Sequence, residues 1–228
     1  MLYEGRLEAG QVLAGVLRRL ELGPCVVAGI PRGGIVVAEP IAQQLGAPLV
    51  AVSARKLSTP EAPDCPFGAV DEDGNAVLDH RTMVMLGLGA SDVDEIKTGA
   101  AEEMARRLAA HRGPRLSDCA PGRTVVIVDD GLVSGLSMRV AIACARRHGA
   151  RGTVVAVPCA SDRASFEVGS LLCETHDRLV CPRGDPCLLS EGDYYRDLLE
   201  VSDEDVAQIL ENAAATCPAS DNCSSRLF

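Results

Sequence analysis

The chain has 228 residues, 47% hydrophobic and 24% charged, enough apolar material for a sizeable core in an ordinary globular fold. A formal net charge of −10 argues against a nucleic-acid partner, because such binding runs on clustered Lys and Arg that neutralise phosphates. No apolar run approaches the roughly 20 residues needed to cross a bilayer, and "MLYEGRLEAG" lacks the basic and then apolar blocks of a signal peptide, so the expectation is a cytoplasmic protein away from membranes.

Taken in chain order, a helix is expected around 7–20, then a strand at "CVVAGI" (25–30) and a helix near 34–46. Further strands are expected at "PLVAVS" (48–53), "RTVVIVDD" (123–130), "GTVVAVP" (152–158) and "DRLVC" (177–181). Helical patterns fall near 91–112, 135–149 and 161–173, and "SDEDVAQILENA" (202–213) reads as a terminal helix with Ser202 as its N-cap and acids in its first turn. Continuously apolar strands alternating with helices predict an α/β fold with a parallel sheet covered on both faces. With no Trp, three Tyr and three Phe, the core must be aliphatic.

Two stretches break the alternation. "RKLSTPEAPDCPFGAVDEDGNAVLD" (55–79) opens with prolines and then carries two short strand-like pieces around Asp73-Gly74, a hairpin signal; a long insertion of this kind is often a functional flap. "CPRGDPCLLSEGDYYRD" (181–197) is the second, and holds Tyr194 and Tyr195. The expected organisation is one domain over 1–212, with a flexible flap at about 55–79, a small hood at about 181–212 and a disordered tail over 213–228. The ten cysteines include no CxxC pair and read as reduced thiols. A zinc set of Cys173, His176, Cys181 and Cys187 is conceivable, but its spacing fits no common ribbon or finger, and none of His80, His111, His148 and His176 has a partner at triad or metal spacing.

The chemistry concentrates in "VVIVDDGLVSGLSMRVA" (125–141). Asp129 and Asp130 end a buried strand, where ligands bind in an open parallel sheet. A helix beginning near Gly135 points free N–H groups at the same place, Ser134 and Ser137 add hydroxyls, and Gly131 and Gly135 let the backbone approach closely. Amides and hydroxyls suit a phosphate; paired carboxylates suit sugar hydroxyls or a metal. Together they describe a pocket for a phosphorylated sugar. A receiver-type acidic pocket would carry its pair after the first strand and need further Asp and Lys positions downstream. "GLG" at 87–89 is no dinucleotide fingerprint, since no third glycine follows at the required spacing.

The thirteen residues "VVIVDDGLVSGLS" resemble the motif for phosphoribosyl pyrophosphate (PRPP) in type I phosphoribosyltransferases. "GIPRGGIVVA" (29–38) is similar to that fold's pyrophosphate loop, and specifically to a bacterial family described as predicted phosphoribosyltransferases; "RK" at Arg55-Lys56, the "GAV" and Asp-Gly hairpin and "YYRDLLEVSDEDV" (194–206) extend the likeness over roughly 3–210. The resemblance implies a central, mostly parallel five-stranded sheet with flap and hood. It implies that Asp129 and Asp130 bind the ribose hydroxyls and that Val133, Ser134, Gly135, Leu136 and Ser137 cradle the 5′-phosphate, with Gly131 and Leu132 in the same ribose- and phosphate-binding run. Pyrophosphate would meet Pro31, Arg32, Gly33, Gly34, Arg55 and Lys56, and Arg's planar fork suits its oxygens. Asp129, Asp130, Arg55 and Lys56 would be the catalytic set, with no resident metal site and Mg2+ held mainly by PRPP and water. Cys159, Tyr194 and Tyr195 are the candidates for an acceptor pocket, against a bland reading as a buried thiol and anchoring rings. A homodimer is implied by resemblance alone.

Departures from the family pattern are Glu4-Gly5-Arg6, where the acid that precedes the Arg is displaced, Ala62-Pro63-Asp64 in the flap, and Ser134-Gly135 for Thr-Gly. Val133 leaves the loop without the carboxylate that some relatives use toward a purine. The implied reaction moves the 5-phosphoribosyl group from PRPP to a nitrogen of a small heterocycle, releasing pyrophosphate. Its competitors are a PRPP- or nucleotide-sensing regulator acting on a protein partner, and a phosphohydrolase, for which no water-activating base is evident. Retention of Arg55-Lys56 on a flap favours the enzyme.

Overall fold

The computed structural model describes residues 2–110, 114–186, 188 and 190–216. In chain order the elements are α1 (Arg6–Leu17), β1 (Cys25–Gly29), α2 (Gly33–Leu45), β2 (Leu49–Ala51), β3 (Ala54–Leu57), β4 (Gly68–Asp71), β5 (Ala76–Leu78), α3 (His80–Met85), α4 (Ala90–Ala110) and α5 (Leu116–Cys119). They continue with β6 (Thr124–Val128), α6 (Leu136–Arg147), β7 (Gly152–Ala156), β8 (Cys159–Ala160), α7 (Asp162–Gly169), β9 (Arg178–Val180), β10 (Arg183–Gly184), a 3-10 turn (Glu191–Tyr194) and α8 (Asp203–Thr216).

The five strands expected from their apolar runs form a single parallel sheet in the order β2-β1-β6-β7-β9. The inner strands β1, β6 and β7 bury both faces, which is why alternation is absent from their sequences, whereas the edge strand β9 is only partly covered. Val125 and Ile127 enter one core with Met138 and Ile142 of α6 and Leu116 of α5. Val126 and Val128 enter the other with Leu13 and Leu17 of α1, Ile35 and Ile41 of α2, and Val206 and Leu210 of α8. The registers Gly29↔Val128 and Val128↔Ala156 bring the carboxyl ends of three strands to one level.

The insertion at 55–79 is a three-stranded antiparallel sheet, β3-β4-β5, turning at Gly74 with φ +79 as the Asp-Gly signal predicted. The expectation there is a flexible flap with a hairpin. The hairpin is present, and the segment also has a small core, in which Leu57, Phe67 and Val70 meet Val93, Ala100 and Met104 of α4. The hood pairs β10 with β8, and a Tyr3↔Tyr195 bridge joins it to the amino-terminal segment. Ser202 caps α8 as expected: its Oγ accepts from Asp205 N at 3.1 Å, while Asp205 Oδ2 accepts from Ser202 N at 2.9 Å. That helix runs to Thr216, so residues 213–216, expected in a disordered tail, are its last turn; the rest of the tail lies outside the described residues.

Asp177 ties β9 to β7. Its buried carboxylate accepts from Thr153 N (2.7 Å), Thr153 Oγ1 (2.9 Å) and Glu174 N (3.1 Å) and pairs with Arg146 at 2.6 Å. Burial alone would raise its pKa, but these hydrogen bonds outweigh it and hold the carboxyl below the ordinary carboxylate range. A depressed folded pKa contributes stability that is complete above the unfolded value of ~3.9 and is lost as pH falls through the folded one. Asp177→Ala, which orphans the Thr153 donors, should cost about 2–4 kcal/mol in urea unfolding at neutral pH, and the difference from the native chain should shrink below about pH 4.

Candidate functional site

The loops leaving β1 and β6 meet above the sheet. Ile30 N donates to Val128 O at 2.8 Å, so the first loop is tied to the end of the second strand. The next turn brings Gly33 and Gly34 against the acidic pair. A Cβ on Gly34 would lie 2.6 Å from Val128 O and 2.9 Å from Asp129 Cα, and one on Gly33 would run into Asp130 Oδ2 and sit 2.7 Å from Arg6 Nε. Glycine is required here because backbone and carboxylate occupy the space of a side chain. The Pro31–Arg32 peptide is cis.

These loops border a cleft of ≈ 430 Å³ lined by Ile30, Pro31, Arg32, Gly33, Ser53, Ala54, Arg55, Lys56, Met104, Asp129, Asp130, Ser137 and Asp203. A smaller depression adjoins it, lined by Gly131, Leu132, Val133, Ser134, Gly135 and Ser137 together with Lys56 and Asp129. The two share Lys56, Asp129 and Ser137 and so form a continuous trough from the phosphate-type loop to the "PRGG" loop. Most of the residues singled out from the sequence therefore converge on one site. Gly34 stands just behind it.

The phosphate-type loop is held from below by β8. Leu132 N donates to Cys159 O at 3.0 Å, Ser161 N to Leu132 O at 2.9 Å, and Ser161 Oγ to Val133 O at 2.9 Å. Gly135, with φ +72, turns the chain into α6, whose first-turn N–H groups then face an anion-sized depression.

Asp130 is braced on three sides. Arg6 Nε donates to its Oδ2 at 2.8 Å, and Tyr195 Oη donates to its carbonyl at 2.6 Å. Cys159 Sγ lies 4.0 Å from the same carbonyl. Arg6 also reaches the carboxy-terminal segment, Nη1 donating to Leu199 O at 2.6 Å. Burial, with the Asp130 charge beside it, pushes the Tyr195 phenol upward, so the phenol stays a donor at any ordinary pH. Tyr195 stacks obliquely on Tyr3, centroids 5.9 Å apart, and Arg183 lies over the Tyr3 ring at 4.7 Å. Tyr194 points the other way: its hydroxyl donates to Asp185 Oδ2 at 2.6 Å, which pushes its pKa up to about 12.

Cys159, Tyr194 and Tyr195, expected on an acceptor pocket, do not line the cleft. Cys159 is fully buried beneath Asp130, and Tyr195 supports Asp130 from behind. Arg55 and Lys56 are both on the wall, but they differ. Lys56 is exposed, whereas the Arg55 guanidinium is paired with Glu103 of α4. Arg6, Ser53 and Asp203 reach the site or its supports without having been assigned a place in it. Arg6 carried a signal, the Glu4-Gly5-Arg6 segment; Ser53 and Asp203 carried none.

Of the conceivable zinc set, Cys173, His176 and Cys181 do not gather among the described residues, and Cys187 lies outside them. No described helix is long and apolar enough to cross a membrane.

The chain matches the family described as phosphoribosyl transferase domain over residues 6–168. It is 35% identical over 212 residues to two Mycobacterium tuberculosis proteins, "Putative phosphoribosyl transferase MT0597" of strain CDC 1551 / Oshkosh and "Putative phosphoribosyl transferase Rv0571c" of strain H37Rv. The alignment takes in 93% of this chain and 47% of theirs, so the chain spans about half the length of these curated relatives. The crystal structure of TT1426 from Thermus thermophilus is similar at 35% identity and a TM-score of 0.76, covering 94% of this chain and 100% of that one. With the family match running over more than half of its length, from Arg6 through the pyrophosphate-type and PRPP-type loops to α7, the chain belongs to the phosphoribosyl transferase domain family.

Proposed function

We propose that the protein transfers the 5-phosphoribosyl group of PRPP to a ring nitrogen of a small heterocyclic acceptor, with release of pyrophosphate. The observation that supports this most is the trough itself, in which a double aspartate, a phosphate-type loop at a helix start and three cationic side chains share one surface. In this reading the hydroxyls and amides of Ser134 to Ser137 take the 5′-phosphate, and Asp129 and Asp130 accept hydrogen bonds from the ribose 2′- and 3′-hydroxyls. Arg32, Arg55 and Lys56 hold pyrophosphate. The C1–O bond breaks with its electron pair leaving on pyrophosphate, a C1–N bond forms to the acceptor, and the acceptor's N–H proton is released.

As C1 becomes oxocarbenium-like, the chain's contribution is positioning and charge. The paired carboxylates fix the ring beneath the reacting carbon and face its developing positive charge. Lys56, free of the partner that occupies Arg55, is the cation able to follow the departing oxygens. Arg6 is a positioning residue, since it orients the Asp130 carboxylate. Two aspartates with oxygen donors and no third ligand gathered beside them, among the described residues, fit a magnesium ion that draws most of its ligands from substrate phosphates and water. When bound, it would supply Lewis-acid neutralisation of the leaving group. The β3-β4-β5 sheet, closing over the trough, would exclude the water that hydrolyses PRPP.

Calorimetric titration with PRPP and magnesium tests the reading directly. Asp129→Asn/Asp130→Asn should weaken binding about 100-fold or more, and unchanged affinity would remove the central assignment. Pyrophosphate release should then depend on one member of a panel of purine, pyrimidine and pyridine bases; binding without release by any base would favour the sensor. Lys56→Ala should lower kcat by roughly 10²–10³-fold with a smaller change in PRPP affinity, read by pyrophosphate release. Arg6→Gln should raise the PRPP dissociation constant by about 10-fold and Arg6→Lys by less, because the charge that holds Asp130 is partly kept.

A further inference from the structure

A second group of chemically capable side chains sits at the opposite end of α6 from the phosphate-type loop. Cys144 and His148 are one helical turn apart on the same face, at i and i+4. Across from them is the turn of the β4–β5 hairpin. A ring nitrogen of His148, Sγ of Cys144 and a carboxylate oxygen of Glu72 lie within 4.8 Å of one another, and Asp71, Asp73 and Cys144 form an overlapping group. Thiolate, imidazole and carboxylate at this spacing make a zinc-type donor set; ligands around a tetrahedral ion stand roughly 3.5 Å apart for bonds of about 2.0–2.3 Å.

The members are not equally engaged. Asp71 is consumed by the fold: Oδ1 accepts from Asp73 N (3.0 Å) and Asn75 N (2.9 Å), and Oδ2 pairs with Arg147. Glu72 takes one long hydrogen bond, from Ser53 N at 3.5 Å. His148 Nε2 is sealed from solvent and has no hydrogen-bond partner. It lies 3.2 Å from Asp73 Oδ2 but is not aligned for a hydrogen bond to it. A buried imidazole nitrogen without a hydrogen bond is costly, and a metal ion between it and the carboxylates would satisfy it. Three carboxylates here face one guanidinium, so the group also lacks positive charge.

We propose that Cys144, His148 and Glu72, with Asp73 or water as the fourth ligand, form a zinc site that clamps the flap hairpin to the carboxy-terminal end of α6. Capture of the ion displaces the thiol proton to solvent. The site is structural in position. It lies about 18 Å along the twelve-residue helix from the phosphate-type loop, and Glu72 connects it to Ser53 on the cleft wall.

The test uses the full chain, stripped with chelator and titrated with Co2+ as a spectroscopic stand-in. One equivalent should bind with the intense visible bands of a tetrahedral site and a thiolate-to-cobalt charge-transfer band, and Zn2+ should displace it. Cys144→Ser should abolish the charge-transfer band. His148→Gln and Glu72→Gln should each weaken binding by about 100-fold or more, while Cys173→Ser leaves the spectrum unchanged. Circular dichroism of each variant checks that it is folded, and His148, at the helix cap, is replaceable without loss of core. Absence of a tetrahedral spectrum in the native chain, or its survival in both Cys144→Ser and His148→Gln, overturns the proposal.

Discussion

The structure depends on two neighbouring parallel strands ending at the same level. Because β1 and β6 pair from Cys25↔Thr124 to Gly29↔Val128, the loops that follow them cannot diverge and must be accommodated in the same space. Gly33 and Gly34 make that possible, since the surfaces of Asp129 and Asp130 already fill the positions of their missing side chains. The polar residues that could serve a phosphorylated sugar are thus brought together by a register rule, and the two apolar layers that enforce the register are the two cores of the protein.

From that junction the remaining elements act as supports. β8 holds the phosphate-type loop by backbone hydrogen bonds, the hood delivers Tyr195 to the Asp130 carbonyl, and α1 delivers Arg6 to its carboxylate. Each contact fixes the residue without crossing the trough. The antiparallel sheet forms the remaining wall, and its Arg55–Glu103 pair links that wall to α4. Partly exposed pairs of this kind contribute little to stability, so the small core beneath β3-β4-β5 does more than this pair to hold the wall in place.

Legibility in the sequence followed the range of the interaction. The strands could be read because burial on both faces leaves an uninterrupted run such as Val125–Val128, and the phosphate-type loop could be read because its chemistry is contiguous. The Asp73-Gly74 turn was equally local. Arg6 and Asp130 are 124 residues apart, so nothing near either one announces the pair. Tyr194 and Tyr195 looked equivalent, yet the extended backbone at Tyr195 sends successive rings to Asp185 and to Asp130. His148 found no partner in sequence because the hairpin that faces it lies far upstream. The flap's core was missed for a related reason: Phe67 and Val70 read as isolated apolar residues until α4 covers them.

Both margins of the chain meet beside Asp130. Tyr3 bridges Tyr195, Asp197 N donates to Glu4 O, Arg196 pairs with Glu4 across 192 residues, and Arg6 reaches Leu199. Arg6 precedes Asp130 in the chain, whereas Tyr195 follows it by 65 residues, so the two halves of the brace come from opposite sides of the sequence. The seam around Asp130 is complete only once the hood segment that carries Tyr195 and Leu199 is in place. Closing a loop of such length costs chain entropy before any contact rewards it, so the site depends on a docking between segments distant in the chain.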